Sequence, residues 1–226
     1  MLLGHTCVCA VEIEPYCRKV LLQRQRDGIL PKFPIWDDVR TFDGKPWRGL
    51  VDVVCGGFPC QDIAVGSSTK TGINGERSGL WGHMARVVRE IEPRFVLVEN
   101  SAALLARGLG RVLRDLAEMG HDARWGVFSA GDVGAQHERE RVFIVSNRDG
   151  FVGGPRAWSE QQLGQYEDER EVHAEHACDH YRVWLEMARS TVREDDDVAD
   201  QVDRTKAIGN GQVPAVVKLA WETLIQ

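Results

Sequence analysis

The sequence is short of cysteine, of net positive charge and of long apolar runs, and each shortage excludes something. Six cysteines in 226 residues, at positions 7, 9, 17, 55, 60 and 178, are too few and too irregular for a disulfide framework, and no CxxC pair marks structural zinc. Reduced thiols are expected. No apolar run approaches the roughly 18 residues of a bilayer-spanning helix, and the opening MLLGHTCVCAVEIE carries neither a charged leader nor a cleavage site. The expectation is a soluble, cytoplasmic protein with no membrane attachment. What is present is enough apolar material, 43% of the chain, to bury a core, which excludes a disordered or collagen-like polymer and fits one domain with at most a small appendage.

A formal charge of −6 argues mildly against nucleic acid, because phosphate binding rests on Lys and Arg displacing counterions. The distribution weakens that objection. Between Ser159 and Asp200 stand 13 acidic and 4 basic residues, so this stretch carries −9 and the remainder about +3. The larger part of the chain is free to form a local basic groove.

Strand-like apolar runs alternate with amphipathic stretches, the pattern of a parallel sheet covered by helices. Strands are expected near Cys7–Glu12, Asp52–Cys55, Phe95–Val98, Ala123–Ser129 and Arg141–Ser146, and helices near Glu14–Arg24, Leu80–Ile91 and Gly110–Met119. Pro93 and Gly120 stop the last two helices, and Pro214–Ile225 reads as a closing helix. The order is that of a doubly wound α/β fold, whose ligands gather at the carboxyl ends of the strands.

Those ends hold the chemistry. Gly56-Gly57-Phe58-Pro59-Cys60-Gln61 follows one strand, Glu99 and Asn100 another, and Glu12 a third. A thiol and two carboxylates are thereby delivered to one rim. The paired glycines permit close backbone approach and Pro59 fixes φ ahead of the thiol, so Cys60 sits on a stiff loop.

With these segments the chain resembles the DNA cytosine-5 methyltransferases. The likeness runs in order through VEIEPYC (Val11–Cys17), WDDVRTF (Trp36–Phe42), GGFPCQ (Gly56–Gln61), ERSGLW (Glu76–Trp81), VEN (Val98–Asn100), HERERVF (His137–Phe143) and GNGQVP (Gly209–Pro214). It implies a Rossmann-like fold for S-adenosylmethionine-dependent methyl transfer, with double-stranded DNA as partner, in a bacterial or phage-infected cell, in the setting of restriction and modification. By the resemblance Cys60 is the nucleophile that adds to carbon 6 of cytosine, Glu99 the acid at ring nitrogen 3, and Arg141, with Arg139 beside it, the cationic clamp on the flipped base. Glu12 matches the acidic residue that holds the ribose hydroxyls of S-adenosylmethionine, and Asp38 and Val39 the pair at its adenine. Pro59, Leu80 and Asn210 match further cofactor contacts, and Gln61, Lys70 and Arg77 are the candidates for DNA contact. The glycine- and serine-rich loop Gly66–Arg77 suits a mobile lid.

The implied organisation is a catalytic core over residues 1–146, a reduced variable region over 147–207 in place of a large DNA-reading domain, and a C-terminal helix over 208–226 that returns to the core. The family's first strand and its F-x-G-x-G loop, which surrounds the methionine end of the cofactor, have no counterpart here. An upstream start, a remnant, and a second chain that supplies the segment are three open explanations. Ala64 replaces the serine usual four residues after the nucleophile, and Gln136 the proline usual before HERER. His173, His176, Cys178 and His180 do not have a standard zinc spacing, and no metal is expected. A chain that binds DNA or a partner without transferring methyl is the alternative function. A thiol redox protein is disfavoured because no resolving cysteine lies near Cys60 in sequence.

Overall fold

A computed structural model of the chain describes residues 3–59, 79–135, 139–151 and 211–226. Cys60, Gln61, Ala64, Lys70, Arg77, Gln136, the histidine-rich stretch, most of the variable region and Asn210 lie outside the described residues. The described chain divides into two units. The smaller holds residues 3–38, 130–135 and 211–217, and the larger 39–59, 79–129, 139–151 and 218–226.

In the smaller unit, strand β1 (Ala10–Val11), helix α1 (Pro15–Arg26) and strand β2 (Ile35–Trp36) form one β-α-β turn. The strands are parallel, with Ala10 opposite Ile35 and Val11 opposite Trp36. The ladder is much shorter than the apolar run Cys7–Glu12 suggests, because β2 is only two residues long and Pro34 before it has no N–H to give. Pro15 stands in the first turn of α1, where a missing N–H costs nothing. Not one residue of α1 is fully buried.

The larger unit is built around β3 (Val53–Gly57), β4 (Phe95–Ser101), β5 (Asp122–Phe128) and β6 (Arg141–Asn147), with helices α2 (Leu80–Ile91), α3 (Leu104–Arg107), α4 (Leu109–Glu118) and the end of α5 (Pro214–Leu224). The strand order is β3-β4-β6-β5. The sheet is mixed and not wholly parallel: β3 and β4 run together, and β6 runs antiparallel to both β4 and β5. The cause is the link between β5 and β6, which among the described residues contains only the 3-10 turn Gly131–Val133 and no crossover helix.

Burial follows from this order. Strands β4 and β6 are central, and Val96, Val98, Val142, Ile144 and Val145 are all 0% exposed. Val96, Val98, Val142 and Ile144 pack with Trp81, Val88, Val112 and Leu116 of α2 and α4. On the other face the Phe95 ring meets Trp221 of α5 edge-on at 5.6 Å, and Phe143 meets Phe128 at 6.0 Å. Strands covered on both faces read as continuous apolar runs, which is why these two were legible. Helix α2 ends at Glu92, in the left-handed conformation just ahead of Pro93, and α4 gives way to Gly120 at φ 82°. No helix among the described residues is long and apolar enough to cross a membrane, and no group of three or more potential ligands among them could hold a metal ion.

Candidate active site

In the larger unit the site grows from the pairing of β3, β4 and β6. The parallel register sets Gly57, the last residue of β3, beside Glu99 of β4. The antiparallel register sets Arg141, the first residue of β6, against Ser101 at the far end of β4. The acid and the arginine therefore meet at one edge. Arg141 Nε forms an ion pair with Glu99 Oε1 at 3.0 Å, and both side chains are largely shielded from solvent, at 27% and 15% exposure. The second oxygen, Oε2, has no hydrogen-bond partner among the described residues. It lies over Gly57, where any Cβ would come within 2.9 Å of it. The constraint is contact and not backbone angle, since a Cβ there would also stand 3.0 Å from the Glu99 backbone carbonyl oxygen, so alanine would crowd the strand as well as the carboxylate.

Arg139 belongs to the same cluster. Burial first, and then the like charge of Arg141, pull its pKa below the ordinary value, while the Glu99 carboxylate opposes them. The shift leaves it a cation. Two arginines and one acid thus make a cluster of net positive charge at the ends of β4 and β6.

Asn100 completes the frame; the sequence placed it at this strand end and within VEN but gave it no role. Buried at 3% exposure, it donates from Nδ2 to the Phe58 carbonyl at 3.1 Å and accepts the Ser101 N–H at Oδ1, 2.8 Å away. It clips the chain that leads through Pro59 toward Cys60 onto the strand that carries Glu99. Phe58 is buried against Trp81 with ring centroids 5.6 Å apart, and Leu80 packs on the same core. A polar residue following an acid at the end of an apolar strand was the available signal, but its partner 42 positions earlier was not.

In the smaller unit, Glu12 and Asp38 follow the parallel strands β1 and β2 and so share their carboxyl ends. Glu12 N–H donates to the Trp36 carbonyl at 2.9 Å. Its carboxylate accepts the Glu14 N–H at Oε1 (2.8 Å), and Arg18 of α1 donates to the Glu12 and Ile13 carbonyls. Glu12 Oε2 has no partner among the described residues. A half-buried carboxylate with one oxygen fixed and one open is an acceptor suited to the hydroxyls of a vicinal diol such as ribose. Val39, the first residue of the larger unit, is half-buried.

The C-5 cytosine-specific DNA methylase family matches this chain over residues 2–218. The chain belongs to that family. The Type II methyltransferase M.CviJI of Paramecium bursaria Chlorella virus IL3A is 30% identical to it over 144 residues, which are 63% of this chain and 38% of that protein. M.Eco47II of Escherichia coli is 33% identical over 160 residues, 67% of this chain and 36% of the relative. Among solved structures, the Dnmt2 methyltransferase of S. pombe superposes with a TM-score of 0.53 at 18% identity, over 72% of this chain and 48% of that one. A methyltransferase encoded within a prophage of E. coli gives 0.52 at 20% identity, over 66% and 42%. The α/β, Rossmann-like methyltransferase fold expected from the sequence is the fold found. The chain spans well under half the length of these curated relatives.

Proposed function

We propose that this methylase-family chain transfers a methyl group to carbon 5 of cytosine in double-stranded DNA, through a covalent adduct between Cys60 and a base swung out of the duplex. The observation that carries the reading is the Glu99 carboxylate. One of its oxygens is fixed by Arg141 and the other is open over Gly57, on the strand beside the one that leads into Cys60.

S-adenosylmethionine, when bound, supplies an electrophilic methyl group. By the family resemblance the residues that would hold it are Glu12 at the ribose hydroxyls, Asp38 at the adenine amino group and Val39 beside the ring, with Pro59, Leu80 and Asn210 as further contacts. At the base, the Cys60 thiolate adds to carbon 6 and displaces the carbon 5–carbon 6 pair toward carbon 5, while Glu99 gives a proton to ring nitrogen 3. Arg141 and Arg139 orient the acid and offset the negative charge that develops on the ring. Carbon 5 would then bond the methyl carbon as the bond from that carbon to the donor's sulfur breaks, its electron pair leaving with the sulfur as the neutral thioether S-adenosylhomocysteine. A base takes the carbon 5 proton, the electron pair left behind restores the ring double bond, Cys60 departs as thiolate, and the nitrogen 3 proton returns to Glu99. Gln61, Lys70 and Arg77 are the proposed DNA contacts.

The test is transfer of labelled methyl from S-adenosylmethionine to unmethylated mixed-sequence DNA. Label on carbon 5 of cytosine that disappears in Cys60→Ala, and falls by about 10² or more in Glu99→Gln, is the expected result. Turnover retained in Cys60→Ala would remove the nucleophile assignment. DNA binding without any label would favour the alternative, a chain that binds without transfer. Label that arises only on adding a polypeptide with the F-x-G-x-G strand would identify a two-chain enzyme.

A further inference from the structure

Helix α2 does more than cover the sheet. Arg86, on its second turn, sends its guanidinium across to the segment after β2: Nη2 donates to the Val39 carbonyl at 2.7 Å and Nη1 to the Phe42 carbonyl at 2.8 Å. Glu90, four residues further on, holds the same guanidinium at 2.7 Å, and its Oε2 accepts the Gly44 N–H at 2.8 Å. Burial alone would raise the Glu90 carboxyl, but the bonds from Arg86 and Gly44 and the charges of Arg86 and Lys45 outweigh it and hold the pKa below the ordinary value. Gly44 is pressed so closely on α2 that a Cβ would stand 3.0 Å from Glu90 Cβ and 3.1 Å from Ile91 Cγ1. Farther along, Arg48 Nε donates to the Glu90 carbonyl at 2.9 Å. The stretch from Val39 to Arg48 is thereby tied to the last turns of α2 at every few residues, and Arg86 holds its first point.

We infer that Arg86, braced by Glu90, is a positioning residue for S-adenosylmethionine: it fixes the backbone of Val39, and through it the wall against which the adenine lies. The inference rests on the reading of Val39 as a cofactor contact. Arg86 touches no cofactor atom in this scheme. Its planar fork spans two carbonyls and a carboxylate from two nitrogens, whereas lysine has all its donors on one compact ammonium. A loop that is ordered beforehand binds more tightly because no ordering entropy is lost on binding.

The experiment uses the full chain and two readouts besides activity. Hydrogen exchange reports the amides of residues 39–44, with the β4 and β6 amides as an internal measure of the fold, and equilibrium dialysis gives the Kd for S-adenosylmethionine. Arg86→Met is expected to speed exchange in 39–44, to leave β4 and β6 slow, and to raise Kd by about tenfold, the effect of one lost anchoring interaction. Arg86→Lys should fall between Met and wild type. Should Arg86→Met loosen β4 and β6 as well, Arg86→Lys is read in its place against the same expectations. Glu12→Ala should weaken binding with exchange in 39–44 unchanged. Faster exchange with an unaltered Kd, in a chain that binds the cofactor and loses it in Glu12→Ala, would overturn the role of Arg86 and leave the cofactor reading standing. A wild-type chain that does not bind S-adenosylmethionine would overturn that reading and this inference with it.

Discussion

Two pairs of parallel strands in this molecule end in an acid proposed for function, and they are built in opposite ways. Beside β3, β4 carries Glu99 on a strand whose Val96 and Val98 are 0% exposed, and α2 above it buries Trp81, Ala85, Val87, Val88 and Ile91. Beside β2, β1 carries Glu12 on a ladder of two residues, α1 buries nothing fully, and Val11 and Trp36 stand 37% and 46% exposed. The first acid is held by a core and the second by hydrogen bonds. The difference suits the two roles proposed for these acids. A proton donor must meet a ring nitrogen within a fraction of an ångström, which a closely packed frame provides. A residue that grips hydroxyls tolerates a frame that orders further when its ligand arrives.

The widest gap is expected in side-chain truncation. Leu116→Ala empties a fully buried position in the core of the larger unit and should cost about 2–5 kcal/mol in urea unfolding. Leu22→Ala on α1, where the side chain is 42% exposed, should stay within about 0.5 kcal/mol. Equal losses would mean that α1 is as deeply packed as α2, and the comparison would fail.

A smaller contrast lies in the hydrogen bonds that hold the two acids' neighbourhoods. Asn100→Ala leaves the Phe58 carbonyl and the Ser101 N–H without their partner in a buried setting and should cost about 1–3 kcal/mol. Gln25 makes a comparable bond to the Phe33 carbonyl at 3.0 Å in the smaller unit, but in a half-buried setting that water can reach once the side chain is removed. Gln25→Ala should cost about 0.5 kcal/mol or less, because water replaces the lost donor. Reversal of that order would show that the frame of Glu99 does not depend on its polar clip.

How much of this was open to the eye in the sequence depends on distance along the chain. Strands β4 and β6 and helix α2 were legible because burial on both faces, or on one helical stripe, leaves a local pattern. Strand β2 was not, since Ile35 and Trp36 between Pro34 and two aspartates leave no periodicity to read. The direction of β6 was also hidden, because an apolar run looks the same whichever way it pairs. That direction is what brings Arg141 to Glu99, so the two residues were identifiable singly while their contact was not. Arg86 and Glu90 show an ordinary i,i+4 ion pair in sequence, but the carbonyls of Val39 and Phe42, over forty residues earlier, could not be seen.

A pH effect should also separate the units. His121, 5% exposed, shares a 3.1 Å hydrogen bond with Ser146 Oγ, and burial first, then the charge of Arg148, lower its pKa. The unfolded chain then binds a proton that the folded chain refuses between the lowered value and the ordinary one of about 6.5. Stability should be full above that pH and fall as the pH drops through the window, and His121→Gln should flatten the fall. Exchange of the β5 and β6 amides followed from pH 7.5 down to 5.5 checks this. A slope unchanged by the substitution would place the titrating group elsewhere.

The smallest effect is expected at Glu92, where two weak terms oppose each other. This residue ends α2 at φ 54°, a conformation that costs most side chains about 1 kcal/mol and glycine almost nothing. Its carboxylate also receives Arg48 at 3.0 Å and Arg148 at 2.9 Å, with all three side chains at least 36% exposed. Exposed pairs of this kind contribute about 0.2–1 kcal/mol each and weaken with salt. Glu92→Gly gives up the pairs and relieves the backbone, so its stability should lie within about 0.5 kcal/mol of wild type. Glu92→Ala gives up the pairs and keeps the strain, so it should be the weaker variant. The loss in Glu92→Ala should shrink in 1 M salt, whereas its deficit relative to Glu92→Gly should persist, because screening acts on charge and not on a backbone angle. Arg24→Ala in the smaller unit, which removes only a 4.0 Å pair with Asp27, should change nothing measurable at either salt concentration. A salt-dependent loss there as large as at Glu92 would mean that charge, and not hydrogen bonding alone, holds α1 in place.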